Sequence, residues 1–155
     1  MKILFVCIGN TCRSPMAEAV LKNKLKEKNV LGSFVRSCGI NAQTGAPANP
    51  FAIRVINENG LALNSFCSTQ ISQNLFDWAD VVICMTKELA KSFHSEKVCD
   101  FSTLYGLPEI SDPYGCTIEC YRDTFVAIDY VCNLLANDIA EDNLLNRIKL
   151  SAKRK

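Results

Sequence analysis

The sequence predicts an α/β fold: three layers, with a four-stranded parallel sheet in the order 2-1-3-4 and helices on both faces. Three observations predict it. Short apolar runs alternate with segments whose apolar residues recur every three or four positions. The first run stops at a loop punctuated by Gly and Asn that leads straight into a helix-like segment. The last third carries one long apolar stripe of the kind a helix lays against a sheet.

Ile3 to Val6 is continuously apolar and reads as a buried strand. Pro15 to Lys28 reads as a helix, with Ala17, Val20, Leu21 and Leu25 toward the core and lysines outward. Ser33 to Ser37 is the second strand, and Asn41 to Ala48 a Gly/Pro-punctuated loop. Pro50 to Asn59 is a helix stopped by Gly60. Ser72 caps a short helix ending at Trp78. Asp80 to Met85 is the third strand, Lys87 to Phe93 a helix, and Lys97 to Phe101 the fourth strand. A long loop is expected from Ser102 to Cys116. Ile118, Tyr121, Phe125, Ile128, Cys132, Leu135 and Ile139 then mark the final helix. Residues 1–150 form a single domain, and the basic stretch 151–155 reads as a disordered tail without a role.

The 155 residues suffice for one domain that buries about 70% of its unfolded surface. A formal charge of +1 excludes a bulk attraction for nucleic acid or a membrane, so any attraction for anions is local. No run is long enough to span a bilayer, and Met1-Lys2 leads directly into a strand, so no secretion signal is expected. The nine cysteines are odd in number and form no C-x2-C pair, which reads as a reducing, cytoplasmic compartment. With one histidine and no ligand spacing, neither a metal nor another cofactor is expected. Cys116 and Cys120, four apart, read as packed or surface thiols. The oligomeric state is open.

The chemistry lies in Cys7-Ile8-Gly9-Asn10-Thr11-Cys12-Arg13-Ser14. C-x5-R-S between a strand and a helix is the pattern of a phosphate-binding loop that carries its own nucleophile. Backbone N–H groups of the loop and the helix N-terminus can surround an oxyanion. Arg13 can clamp two phosphate oxygens, and the same positive field favours a Cys7 thiolate, the reactive form of cysteine. Ser14 can donate to that sulfur. Gly9 and Asn10 suit a left-handed backbone, and Pro15 suits the first helical position.

Phe5 to Glu18 resembles the signature of the low-molecular-weight protein tyrosine phosphatases. The resemblance continues at Arg36-Ser37-Cys38-Gly39, Ala79 to Met85 and Asp112-Pro113-Tyr114-Gly115, and covers Lys2 to about Asp142. Taken alone, Asp112-Pro113-Tyr114-Gly115 also reads as a simple turn. Beside the loop, and at the spacing the resemblance implies, Asp112 is the acid that protonates the leaving group. The resemblance also implies that Cys12 is a disulfide partner shielding Cys7 from irreversible oxidation. A packed thiol is the alternative.

Thr11 bears on the substrate. The tyrosine-specific members resemble one another in an aliphatic residue here, whereas the bacterial protein-arginine phosphatases, a branch of the family, resemble this chain from Gly9 to Glu18. They also resemble it at Ala62-Leu63-Asn64, Ala79-Asp80 and Met85-Thr86. A guanidinium offers N–H donors that Thr11 and Asp112 can accept. Phosphorylated protein side chains are the expected partners, with phosphoarginine favoured over phosphotyrosine. Tyr114 serves a phosphotyrosine pocket equally well, and Gln43 or Thr44 stands where other members place an aromatic wall. Many members carry His and Arg around Phe66 to Thr69; their lack here puts in question the hydrogen bonds behind the loop, and fits the arginine branch better. His94, the only histidine, is given no catalytic part. An arsenate reductase would need further cysteines near the loop, and Cys84 reads instead as a buried strand residue. A binding module without catalysis would dispense with Cys7 or Asp112.

Overall fold

The computed structural model describes residues 1–153. Strands β1 (Lys2–Cys7), β2 (Phe34–Gly39), β3 (Val81–Cys84) and β4 (Val98–Asp100) form one sheet in the order β2-β1-β3-β4, parallel throughout. This is the predicted architecture. The central β1 is covered on both faces, which is why it reads as an unbroken apolar run: Ile3, Leu4, Phe5 and Val6 are all fully buried.

The pleat divides the core in two. Ile3, Phe5, Val81 and Ile83 point to one face, where they meet helices α1 (Arg13–Glu27), α2 (Pro50–Glu58) and α6 (Ile118–Ala140). Leu4, Val6, Val82 and Cys84 point to the other and meet Leu75 and Leu89 of the short helices α3 (Gln73–Trp78) and α4 (Lys87–Lys91). The α6 stripe lies as its period predicts: Tyr121, Phe125, Ile128, Cys132, Leu135 and Ile139 are buried and Ile118 partly so. Each such apolar side chain contributes about 1.5–3 kcal/mol on full burial. Ser72 caps α3 by accepting from the Leu75 N–H, and Thr86 caps α4 in the same way from Leu89.

Two added helices, and the bounds of β4 and α1, differ from expectation. Strand β4 stops at Asp100, whose carboxylate accepts from the Thr103 N–H at 2.8 Å. That cap starts helix α5 (Phe101–Tyr105), closed by Gly106 at φ 67°, so Phe101 is helical and the expected loop begins only afterwards. A further helix, α7 (Leu144–Ala152), follows α6. Asp138 of α6 takes both the Arg147 guanidinium of α7 and the Tyr105 hydroxyl of α5, and so ties the three helices together. Ser151 is buried within α7, so the stretch expected to be a tail is helical at Ser151 and Ala152. Arg154 and Lys155 lie outside the described residues. Finally, α1 begins at Arg13, which makes Pro15 its third residue. It still falls in the first turn, where no intrahelical N–H bond is lost.

Candidate active site

Strand β1 lies between β2 and β3, so its carboxyl end opens at the point where the chain's strand order reverses, the usual place for a ligand in an open α/β sheet. Cys7 is its last residue and is buried. The loop that follows turns through Asn10, whose φ of 54° is the left-handed step. Gly9 does not take that conformation, and a Cβ there would meet only Thr11 Oγ1 at 3.7 Å. The expectation for Gly9 is therefore corrected: Asn10 alone supplies the turn. The glycine that space requires is Gly39, at the end of β2. A Cβ on Gly39 would collide with the Ile8 carbonyl oxygen and the Asn10 nitrogen.

Asn10 is fully buried, and its side chain is the hub of the loop. Nδ2 donates to Ser14 Oγ and to Ser37 Oγ, both at 2.9 Å, and Oδ1 accepts from the Thr69 N–H at 2.8 Å. The Asn10 carbonyl accepts from Ser68 Oγ at 2.7 Å. Ser37 Oγ donates in turn to Glu18 Oε2 at 2.6 Å. These bonds orient Ser14. It receives an N–H from Asn10, so its own proton is available to Cys7 Sγ at 2.9 Å, ahead of the Cys38 carbonyl at 3.4 Å. The Asn10 N–H also points to Cys7 Sγ, at 3.2 Å. The Cys7 sulfur thus has two donors, and the support questioned on sequence grounds comes from Ser68 and from the backbone of Thr69.

Arg13 is 3% exposed, opens α1, and donates from Nη1 to the Ile110 carbonyl at 3.2 Å and from Nη2 to Asp112 Oδ2 at 2.9 Å. The Asp112 side chain is 42% exposed, and its Oδ1 accepts from the Tyr114 N–H at 3.2 Å. Cys12 is buried with Sγ 3.2 Å from the Tyr121 hydroxyl and 3.6 Å from Thr11 Oγ1. Burial pushes its thiol up, partly offset by the bonds to Tyr121 and Thr11, so it stays protonated at neutral pH.

One cavity of about 400 Å³ gathers most of the expected residues: Cys7, Ile8, Gly9, Thr11, Cys12, Arg13, Gln43, Asp112 and Tyr114. Asn41 and Ala46 line it as well, and no local pattern marked them. Asn10 and Ser14 lie behind it. Thr44 is not on its wall: its hydroxyl accepts from the Gln70 N–H at 3.2 Å, which corrects that assignment. His94 is exposed between α4 and β4, and Cys84 is buried in β3. A larger groove of about 560 Å³ between α1 and α6 is lined by no cysteine, serine, threonine or histidine. The smaller cavity brings together a cysteine sulfur with two donors, a buried guanidinium, and a carboxyl group from a separate loop.

Residues 2–145 match the family described as low molecular weight phosphotyrosine protein phosphatase. The protein-arginine-phosphatase of Bacillus subtilis (strain 168) is 33% identical over 150 residues, which cover 92% of this chain and 99% of that protein. The low molecular weight protein-tyrosine-phosphatase Wzb of Escherichia coli (strain K12) is 36% identical over 137 residues, covering 81% and 84%. A solved structure of a mutant YwlE arginine phosphatase with a phosphorylated active-site serine superposes with a TM-score of 0.84 at 34% identity, covering 94% of this chain and 99% of that one.

Proposed function

Since the chain belongs to the low molecular weight phosphotyrosine protein phosphatase family, we propose that it removes phosphate from phosphorylated protein side chains through a phosphocysteine at Cys7, with phosphoarginine preferred. The observation that carries the mechanism is Cys7 Sγ, with donors from Ser14 and Asn10, sharing a cavity with Arg13 and Asp112.

The Cys7 sulfur attacks phosphorus in line, and the bond from phosphorus to the side-chain nitrogen or oxygen breaks. The leaving atom takes the proton of Asp112. Loop N–H groups hold the equatorial oxygens, as does Arg13, whose bonds to Ile110 and Asp112 leave further guanidinium donors. Asp112, now a carboxylate, takes a proton from water. The water oxygen bonds to phosphorus and the sulfur leaves as thiolate, which its two donors stabilise. No step calls for a metal ion. Cys12, in the same loop, is the thiol assigned to trap an oxidised Cys7 as a disulfide. Its burial keeps it as a thiol meanwhile.

Preference for phosphoarginine rests on Thr11, which lines the cavity beside Asp112. Its hydroxyl and the Asp112 carboxyl oxygen that carries no proton can accept guanidinium N–H groups. The relative from B. subtilis, named a protein-arginine-phosphatase, supports the reading. Tyr114, 72% exposed on the same wall, favours phosphotyrosine as the second reading, which the relative from E. coli supports. Matched phosphoarginine and phosphotyrosine peptides separate them. A higher kcat/KM on phosphoarginine, reversed in Thr11→Ile, is expected. A preference for phosphotyrosine unmoved by Thr11→Ile would overturn the assignment of Thr11. A cytoplasmic location is part of the proposal and rests on the cysteine-rich composition. Among the described residues no helix is long and apolar enough to cross a membrane.

A further inference from the structure

The segment that follows β2 gives the cavity a side chain to which the mechanism above assigns no part. Asn41 lines the cavity together with Cys7, Thr11 and Asp112, and Gln43 lies on the same wall. Asn41 is exposed, and among the described residues its carboxamide has no hydrogen-bond partner within the protein. Its backbone, by contrast, is pinned. The Ile40 N–H donates to the Cys7 carbonyl at 3.1 Å, and the Asn41 N–H to the Ile8 carbonyl at 2.9 Å. The Gln70 side chain bridges the residues on either side. Its Nε2 donates to the Ile40 carbonyl at 2.9 Å, and its Oε1 accepts from the Ala42 N–H at 2.7 Å. An unpaired carboxamide is therefore carried on a turn that is hydrogen-bonded directly to Cys7 and Ile8.

The substrate gives this group something to bind. Phosphorylation removes one of the five N–H donors of an arginine side chain and leaves donors on all three of its nitrogens. Thr11 and one oxygen of Asp112 accept from some of them, and the rest need acceptors elsewhere on the wall. A carboxamide oxygen is such an acceptor. A phenyl ring at the same place would offer it no donor, and would cover a polar group without replacing its water. The stretch from Ile40 to Ile53 contains no charged residue, so selection on this side of the cavity works through hydrogen bonding rather than net charge.

We propose that Asn41 is a specificity-determining residue whose carboxamide oxygen accepts a guanidinium N–H of phosphoarginine that Thr11 and Asp112 leave unbonded. The inference rests on the phosphoarginine reading of the cavity. It assigns part of that preference to a turn outside the phosphate loop.

The test is steady-state kinetics of the full-length enzyme on matched phosphoarginine and phosphotyrosine peptides, with Asn41→Leu and Asn41→Asp alongside. Leucine is close to asparagine in size and has no acceptor. In Asn41→Leu, kcat/KM on phosphoarginine should fall about 10-fold, the low end for a hydrogen bond to a charged group. The fall should lie mostly in KM, because the bond is made to bound substrate and kept in the transition state. The value on phosphotyrosine should hold or rise. Asn41→Asp keeps an acceptor, and any repulsion of phosphate falls on both substrates alike, so the ratio of the two should stay near that of the wild type. That ratio does not depend on the fraction of enzyme that is folded. Equal losses on both substrates in Asn41→Leu, or an unchanged ratio, would overturn the inference while the wild-type preference for phosphoarginine stands. A wild-type enzyme that prefers phosphotyrosine would refute the substrate reading itself, and this inference with it.

Discussion

Arg13 Nη2 lies 2.9 Å from Asp112 Oδ2, so the residue that opens the first helix reaches the middle of the long loop between α5 and α6. Arg13 is buried and Asp112 partly exposed, which leaves the carboxyl group at the water boundary, where the proposed mechanism has it both give and take a proton.

Asp112→Asn removes both that proton transfer and the ion pair. Turnover of a phosphoarginine peptide should fall about 10²- to 10⁴-fold, the usual worth of a positioned acid. An aryl phosphate with a very good leaving group should lose much less in its first step. Burst-phase kinetics on the two substrates check this. Cys7→Ser should abolish turnover on both, and residual turnover would refute the phosphocysteine.

Asn10 is predicted to be the costliest loop residue to lose. Asn10→Gly keeps the left-handed step but leaves Ser14, Ser37 and the Thr69 N–H short of a partner. Since a buried polar group left unsatisfied costs about 1–3 kcal/mol, a total loss of about 2–4 kcal/mol is expected. Asn10→Ala should cost about 1 kcal/mol more, for its positive φ. Urea denaturation of both variants ranks them; equal stability would remove the backbone contribution.

Stability should fall on the alkaline side. Burial pushes the Cys38 thiol up to about 12 from an ordinary 9.0, and burial pushes Cys132 up as well. Below pH 9 both folded and unfolded chains hold these protons. Above it the unfolded chain ionises while the folded chain does not, so each such thiol lowers the unfolding free energy by about 1.4 kcal/mol per pH unit. For Cys38 this runs until about pH 12. Denaturant titrations under reducing conditions on either side of pH 9 measure the slope, which Cys38→Ala should make shallower.

Arg147→Ala leaves the Asp138 carboxylate, 8% exposed, with Tyr105 as its remaining side-chain partner. Because Arg147 is itself 43% exposed, solvent tempers the loss to about 1–3 kcal/mol. Thermal unfolding should report a drop of about 2–12 °C. Phosphatase activity at room temperature should be unchanged, since α7 contributes nothing to the cavity lining.

The sheet and its long helices were legible because their signals are local and repeated. β1 is an unbroken apolar run, and α6 holds one period for 23 residues. Helix α5 has 5 residues, too few to show a period, and its start depends on the side chain of Asp100, which reads equally as a strand residue. Helix α7 follows a turn at Asp142 in the left-handed conformation, without the glycine that usually marks one. At the site, Cys7 and Arg13 stood out because their residue types at that spacing carry chemistry, whereas Asp112 alone reads as a turn residue and was reached through the family resemblance. Ser68, Thr69 and Asn41 act on the loop or cavity from distant segments, and nothing in their own neighbourhoods announces it. Thr44 was misplaced for the same reason, since its direction depends on Gln70.

Gly39 gives the cradle an unequal tolerance to genetic change. The space a side chain would occupy at 39 already holds the carbonyl of Ile8 and the amide of Asn10, whereas a Cβ at Gly9 would make one ordinary contact, with Thr11 Oγ1 at 3.7 Å. In a library covering every codon, column 39 should be blank apart from synonymous glycine. The nucleotide changes that silence this enzyme therefore include a position that never touches its substrate.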